Sequence, residues 1–232
     1  METIRLNKYI AQTGYCSRRQ ADELIASGKV FLNDRKVTEQ GVKMDPQTDQ
    51  VRVKDGPTLQ IKQEKVLLMM NKPKGYICTK RDRHATRTVY ELLPQAYQHL
   101  NSIGRLDKDS EGLLLFTNDG ELANQLTHPK FAKEKVYHVS IRGTVDEKDL
   151  DRMRKGMRLL DYSVSPAVVQ EISHDEKKNR TVLEITIKEG KNRQIRNMFL
   201  ALKKQVKKLV RLRAGKYELG KLKTGEWQKI RM

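Results

Sequence analysis

The sequence predicts an α+β protein, in which a small module of helices and strands precedes a mixed, mainly antiparallel β-sheet domain flanked by helices. Strand-like and helix-like segments follow one another without regular βαβ repeats. A polar run at 60–64, just after Pro57, is typical of a linker and predicts two domains, residues 1–60 and 61–232. The 232 residues, 37% of them hydrophobic, suffice for one ordinary domain and a small one.

The first sixty residues carry signals for two short helices and a small sheet. The first helix ends near Gly14, which can adopt the left-handed conformation. Ser17 begins the second helix, since Gln20 three residues later completes a capping box. Asn33 and Asp34 predict a tight turn between two strands. The short apolar segments predicted as strands are 30–32, 36–37 and 51–53.

The remaining residues contain apolar or alternating runs and capped helical patterns. Glu184 and Thr186 alternate with apolar neighbours, which indicates a half-buried strand. A capping box at Thr88 and Glu91 predicts a short helix. The predicted strands are 66–70, 113–116, 136–141 and 183–187. The predicted longer helices are 146–155, 192–202 and one that opens at 118–120 and carries Leu122, Ala123 and Leu126.

The net charge of +18 is concentrated in one stretch. Residues 188–223 contain 13 Lys and Arg against 2 Asp and Glu, a net charge of +11. Such a stretch favours a polyanion as partner, and a solvated face that keeps the protein soluble is the alternative. An amphipathic membrane-binding helix is not indicated, because no helix pattern has a large uninterrupted apolar face.

Several protein classes are excluded by what the sequence lacks. No apolar run reaches about 18 residues, and the N-terminus has no secretory signal. The two cysteines, Cys16 and Cys78, provide neither a disulfide framework nor a Cys-rich metal site. We therefore expect a cytoplasmic protein. A Walker phosphate loop, a His-Glu-x-x-His zinc helix and the zinc-deaminase motif are also missing.

The segment Gly104-Arg105-Leu106-Asp107 is the most informative stretch for chemistry, and an apolar strand follows it closely. On an extended backbone Arg105 and Asp107 point in the same direction. A carboxylate close to cations is held ionised and can act as a nucleophile or a base. An acidic surface loop between two strands is the alternative, and composition alone favours it.

Four motifs in order resemble those of bacterial ribosomal RNA pseudouridine synthases of the RsuA type. They are Asn71-Lys72-Pro73-Lys74-Gly75, Gly104-Arg105-Leu106-Asp107 with Ser110-Glu111-Gly112-Leu113, Lys135-Val136-Tyr137, and Lys191-Asn192-Arg193-Gln194-Ile195-Arg196. The segment 5–53 is similar to a small RNA-binding module first described in a small-subunit ribosomal protein. The resemblance therefore spans nearly the whole chain. One departure is Asn197, where many relatives carry a second arginine.

The resemblance implies an isomerase that breaks the bond between uracil and ribose, turns the base and rejoins it through C5. It implies no metal and no other cofactor. Asp107 is implied as the attacking carboxylate or base, Arg196 as its cationic partner, and Tyr137 as the ring that stacks on the target base. Arg105 is implied to fill the gap left by the flipped uridine. A core position for Tyr137 and a phosphate contact for Arg196 are the alternatives.

The implied partner is ribosomal RNA or a precursor ribosomal subunit, bound by a monomer without a membrane or a small-molecule cofactor. Contacts to that RNA are implied for eight further residues: Arg5, Lys8, Arg18, Arg19, Lys72, Lys191, Asn192 and Arg193. The motifs are most similar to those of the enzymes that modify 23S rRNA. A synthase acting on 16S rRNA and a non-catalytic RNA-binding assembly factor are the alternatives.

Overall fold

The chain folds into two compact units, Met1–Lys65 and Val66–Met232, in a computed structural model that describes residues 3–61, 64–80 and 87–231. The predicted linker at 60–64 includes residues 62 and 63, which lie outside the described residues. None of the helices in the described ranges is long and apolar enough to cross a membrane.

The first unit contains the two predicted helices and two small antiparallel sheets. Ser17 and Gln20 form the predicted capping box, with both reciprocal hydrogen bonds present. Asn33 and Asp34 have φ of 48° and 61°, as a tight two-residue turn requires. The elements are β1 (Ile4–Arg5), α1 (Leu6–Gln12), α2 (Arg18–Ala26), β2 (Val30–Leu32), β3 (Arg35–Val37), β4 (Lys43–Met44) and β5 (Val51–Val53).

The second unit is built on a mixed, mainly antiparallel sheet of nine strands within the described ranges. Its main path runs β12-β13-β9-β14-β8-β6-β16, while β15 pairs with β14 and β7 with β8. The strands are β6 (Leu67–Lys72), β7 (Asn101–Ile103), β8 (Glu111–Thr117), β9 (Lys135–Arg142), β12 (Val168–Asp175), β13 (Arg180–Ile187), β14 (Val206–Ala214), β15 (Tyr217–Glu218) and β16 (Trp227–Ile230), with a separate hairpin of β10 (Met157–Arg158) and β11 (Ser163–Val164). The helices are α3 (Gly120–Thr127), α4 (Glu147–Lys155) and α5 (Gln194–Ala201), and single 3₁₀ turns span Val89–Leu92, Gln95–Tyr97 and Pro129–Phe131.

Strands β8 and β14 lie side by side in parallel, and a glycine makes their close approach possible. Gly112 pairs with Arg211 and has a φ of +101°. A Cβ atom at this position would lie 2.3 Å from the Arg211 carbonyl oxygen and 2.6 Å from its backbone nitrogen. Because no side chain fits there, Gly112 sets the spacing of the strands directly after loop 104–110, which joins β7 to β8.

Three predictions of the second unit differ from the structure. Helix α5 begins at Gln194 instead of residue 192, because Arg193 has a left-handed backbone with φ of 48°. Seven strands of this unit were not predicted: β7, β10, β11, β12, β14, β15 and β16. In β14 the adjacent lysines at 207 and 208 interrupt the apolar alternation. The strand predicted at 66–70 extends to Lys72 and carries that lysine into the protein interior.

Candidate active site

Loop 104–110 borders a cavity of about 780 Å³ in the second unit. The opposite walls come from the start of β9, from loop 188–193 before α5, and from the middle of β14. Six residues predicted for catalysis or RNA binding line this one cavity: Arg105, Asp107, Tyr137, Lys191, Asn192 and Arg193. The fold therefore gathers residues that lie up to 88 positions apart in the chain.

Asp107 lies at the wall of the cavity with its side chain 31% exposed. Its Oδ2 atom is 3.9 Å from Nη1 of Arg193, at the limit of an ion pair. This corrects the expectation that Arg196 forms that pair, since no ion pair within 4.0 Å joins Arg196 and Asp107 among the described residues. The left-handed backbone at Arg193 turns loop 188–193 into α5, and the Arg193 guanidinium lies 3.9 Å from the carboxylate.

Arg196 instead holds the backbone of loop 104–110. Its Nη2 donates to the carbonyl oxygen of Asp109 at 2.9 Å, and its Nη1 donates to that of Val206 at 3.3 Å. Burial lowers the pKa of Arg196, and the neighbouring Arg193 cation lowers it further, whereas Asp109 and Asp107 oppose this. Arg196 therefore fixes the position of the loop and acts on Asp107 only at longer range.

The RNA contact predicted for Lys72 is wrong. The residue is 0% exposed, so it cannot reach a phosphate of bound RNA. Its ammonium group donates to the carbonyl oxygens of Pro73 and Asp107, each at 3.1 Å, and of Ser110 at 2.7 Å. Burial lowers the pKa of Lys72, while nearby acidic groups that include Asp107 raise it. Lys72 thus ties β6 to both ends of the turn that follows Asp107.

Cys78 was not predicted to take part in the site, yet it supports the same loop. Its Sγ atom accepts a hydrogen bond from the Leu106 backbone nitrogen at 3.4 Å and donates one to the Leu106 carbonyl at 3.3 Å. Burial raises the pKa of the Cys78 thiol, which keeps it in the neutral form that can donate. A lone cysteine at position 78 carries no local sequence pattern that could have indicated this role.

Tyr137 lies on β9 with 7% of its surface exposed and lines the cavity. Its cross-strand partners are Ile185 on β13 and Arg211 on β14. Directly opposite residues of antiparallel strands place their side chains on the same face of a sheet. The ring is therefore flanked by an aliphatic side chain and by a cation, and sequence reasoning did not predict that cation.

Loop 188–193 is held by a small polar network beside the cavity. The Tyr162 hydroxyl donates to the Asn192 carbonyl at 3.1 Å and accepts from the Asn197 amide at 3.2 Å. The Lys191 ammonium donates to the Ser163 carbonyl at 2.6 Å and lies 5.3 Å from the centre of the Tyr162 ring. Asn197 thus helps to hold the loop that presents Arg193.

The four predicted RNA contacts of the first unit lie on or beside its two helices. Arg5, Arg18 and Arg19 are exposed, and Lys8 is half-buried. Arg18 Nη2 donates to the Asn7 side-chain oxygen at 3.2 Å, which orients one guanidinium along the helix surface. Exposed arginines with a fixed orientation are suited to contact phosphates.

The chemistry of the cavity is that of a carboxylate, an aromatic ring and several cations. In the described part of the chain, no group of three or more His, Cys, Asp or Glu side chains could hold a metal ion. An accessible carboxylate on a backbone anchored by Lys72, Cys78 and Arg196 can act as a nucleophile or a base toward a bound ring. The surrounding cations suit a substrate that carries phosphates.

Comparison with known proteins identifies the family of each unit. The family model for RNA pseudouridylate synthase matches residues 66–201, and the S4 domain model matches residues 4–49. "Ribosomal large subunit pseudouridine synthase B" of Bacillus subtilis (strain 168) is 39% identical over 226 residues, which cover 97% of this chain and 91% of that protein. An "Uncharacterized RNA pseudouridine synthase" of Aquifex aeolicus (strain VF5) is 37% identical over 231 residues, 99% of this chain and 91% of that protein.

A solved structure supports the same assignment over both units. A protein described as "Crystal structure of pseudouridylate synthase" has a TM-score of 0.69 and 31% sequence identity, and the match covers 98% of this chain and 96% of that one. The family model alone covers more than half of the chain, and the similar proteins align along almost all of it. The chain therefore belongs to the RNA pseudouridylate synthase family and is an RNA pseudouridine synthase with an N-terminal S4 domain.

Proposed function

We propose that this protein converts a specific uridine of 23S ribosomal RNA to pseudouridine, with Asp107 as the reacting carboxylate. The observation that carries the proposal is the cavity in which Asp107, Tyr137 and Arg193 meet. The 23S assignment is supported by the Bacillus subtilis relative, whose name refers to the large ribosomal subunit. The substrate is RNA in a ribosomal subunit or its precursor, and the protein acts on it as a cytoplasmic monomer.

The reaction begins when the target uridine leaves the RNA stack and enters the cavity, at a cost of a few kcal/mol. Arg105 is exposed at the cavity wall, where its planar guanidinium fills the gap in the RNA and stacks on the neighbouring bases. Tyr137 stacks on the extruded uracil from the cavity interior. The cavity then shields the detached uracil from water until it reattaches.

Asp107 acts on the ribose, either by attacking the sugar carbon or by removing a sugar proton. Neither route consumes a cofactor, because substrate and product contain the same atoms. Arg193 places a positive charge beside the carboxylate, while Lys72 and Arg196 hold its backbone. The anchored loop keeps the carboxylate in place while the base turns, which is the positioning that such a reaction requires.

The phosphates of the RNA are held by two groups of residues. Arg5, Lys8, Arg18 and Arg19 belong to the S4 domain, and Lys191, Asn192 and Arg193 belong to the exposed loop at the cavity. Phosphate contacts supply affinity and register but do not distinguish one sequence from another. The domain boundary proposed from the sequence, residues 1–60 and 61–232, assigns these two groups to separate domains.

The substitution Asp107→Asn tests the proposal, with Asp109→Asn as a matched control. Asp109 is exposed on the same loop and does not line the cavity. We expect Asp107→Asn to lower tritium release from 23S rRNA labelled at uridine C5 by roughly 10⁴-fold or more, because the reacting charge is lost. RNA affinity should be retained, and Asp109→Asn should remain active.

Two results would contradict the proposal. Near-normal tritium release by folded Asp107→Asn would remove Asp107 from the reaction. Release from 16S rRNA but not from 23S rRNA, by the unmodified protein, would refute the assignment to the large subunit. Pseudouridine mapping in cells with and without the protein identifies the uridine.

A further inference from the structure

Arg211 is a buried cation that the reaction described above does not use. It is 5% exposed and lines the cavity from the middle of β14. Its Nε donates to the Leu113 carbonyl at 2.8 Å. Among the described residues, its guanidinium forms no ion pair, and its two terminal amino groups donate no hydrogen bond within the protein and are accessible at the cavity.

A second cation lies close to Arg211 and makes the site more positive. Lys135 is half-buried on β9, lines the same cavity and donates from Nζ to the Lys133 carbonyl at 3.2 Å. Burial lowers the pKa of Lys135, and the neighbouring Arg211 cation lowers it further. Lys135 and Tyr137 are two residues apart on one strand, so both share the sheet face on which Arg211 lies opposite Tyr137.

This arrangement leaves hydrogen-bond donors of Arg211 free at the cavity wall. The second cation nearby adds repulsion, which a ligand that offers negative charge would relieve. The Nε bond to Leu113 uses only one of the five guanidinium hydrogens. The remaining donors beside Tyr137 are therefore suited to a ligand that offers carbonyl oxygens or a delocalised negative charge.

We propose that Arg211 is a catalytic residue that donates hydrogen bonds to a uracil carbonyl and stabilises the negative charge on the detached base. The proposal rests on the proposed function, because it requires the uracil to stack on Tyr137. When the bond from C1′ to N1 breaks, its electron pair stays on the ring and spreads over N1, O2 and O4. The bond from C5 to C1′ then forms, C5 loses its proton and N1 gains one, so the charge on the ring disappears.

The position of Arg211 favours the base over a phosphate as its ligand. Phosphates remain part of the RNA backbone, so they stay near the cavity mouth, where Arg105, Lys191 and Arg193 are exposed. Arg211 is almost fully buried next to the ring that stacks on the uracil. A donor in a site from which water is excluded acts most strongly on charge that develops during the reaction.

The test compares Arg211→Gln with Lys207→Gln. Lys207 lies on the same strand and carries the same charge, but it is exposed and does not line the cavity. Single-turnover consumption of the target nucleoside is measured in nuclease digests for two RNAs, one with uridine and one with 5-fluorouridine at the target. Fluorine withdraws electrons from the ring and makes it a better leaving group, so it depends less on stabilisation by Arg211.

We expect Arg211→Gln to slow consumption of the uridine RNA by roughly 10²–10³-fold, as the loss of a transition-state donor does. The loss with the 5-fluorouridine RNA should be at least about tenfold smaller. RNA affinity and its salt dependence should stay those of the unmodified protein. Lys207→Gln should leave both single-turnover rates unchanged.

Three results would overturn the proposal. Equal losses on the two RNAs would show that Arg211 does not act on the leaving group. Weaker RNA binding with a smaller salt slope would assign it to a phosphate. If the unmodified protein is active and Arg211→Gln has the same rate, the role of Arg211 is refuted and the proposed function stands. If the unmodified protein is inactive, the proposed function itself is refuted.

The conservative variant Arg211→Lys keeps the test decisive if Arg211→Gln does not fold. Lysine retains the positive charge but loses the planar pair of donors. We expect a smaller loss than for glutamine, and again a smaller loss with 5-fluorouridine than with uridine. A loss that is the same for both RNAs would contradict the proposal for this variant as well.

Discussion

Replacing Lys72 with methionine should loosen the loop that carries Asp107 while leaving the surface of the protein unchanged. The lysine is fully buried, and its ammonium group donates to the carbonyl oxygens of Pro73, Asp107 and Ser110 at 3.1, 3.1 and 2.7 Å, with that of Lys108 farther away at 3.5 Å. Methionine fills a similar volume along the aliphatic part of the side chain but donates no hydrogen bond. The carbonyls of Asp107 and Ser110 would then remain buried without this partner.

The expected loss of stability follows from these contacts. Three hydrogen bonds from a charged donor contribute together about 5–9 kcal/mol. These contributions already include desolvation of the ammonium group, but methionine keeps the aliphatic contacts and leaves no buried charge, so the loss is smaller than their sum. We therefore expect a net loss of about 2–4 kcal/mol, which lowers the unfolding temperature by about 4–16 °C for a domain of this size. Displacement of Asp107 by about 1 Å would lower the single-turnover rate by roughly 10²-fold.

Lys74→Met is the matched control, because Lys74 is exposed two residues away and the charge change is the same. Trp227 is the single tryptophan of the chain and packs against Tyr97 in the second unit, so its fluorescence reports unfolding of that unit. Lys74→Met should change the free energy of unfolding by less than about 0.5 kcal/mol. Equal stability and equal activity of the Lys72 and Lys74 variants would refute the role assigned to Lys72.

Three further predictions concern the strand contact, base extrusion and RNA affinity. Gly112→Ala should lower the free energy of unfolding in urea by roughly 2–4 kcal/mol. Gly75→Ala should lower it by less, because Gly75 also has a positive φ but its added Cβ would meet no atom within 4 Å. Equal losses in the two variants would refute the steric explanation. Arg105→Ala should slow modification of a paired target more than of an unpaired one, because less unstacking is needed in the second; equal slowing in a single-turnover assay would argue against gap filling. The double variant Arg18→Gln/Arg19→Gln should bind RNA with a weaker dependence on salt: the slope of log affinity against log salt should fall by about 0.7–0.9 for each lost phosphate contact. An unchanged slope in binding titrations would show that these two arginines do not contact RNA.

Local physical chemistry explains why much of the fold was predictable. The capping box at Ser17 and the turn at Asn33 and Asp34 depend on residues within three positions of each other, and both are confirmed. The alternation along 183–187 reflects a strand with one buried face, which is also confirmed. In contrast, β14 has adjacent lysines and a register shift beside β9, so neither a period of two nor an apolar run marks it.

The candidate site was also only partly predictable from the sequence. Its residue types were found from the sequence, because the carboxylate, the aromatic ring and the basic loop lie in short motifs. Their partners were decided by the tertiary structure, since the contacts join distant positions: Lys72 to Asp107 across 35 residues, Arg196 to Asp109 across 87, and Arg211 to Leu113 across 98.

The sequence by itself determined the α+β class, many of the elements and six of the cavity residues, because helix caps, turns, alternation and motifs are encoded by neighbouring residues. Only the tertiary structure decided which cations are buried. A lysine or arginine has the same charge and length everywhere in a sequence, whereas its role depends on the carbonyls and carboxylates that other strands bring to it. That is why Lys72 supports a loop instead of binding RNA, and why Arg193, not Arg196, lies beside Asp107.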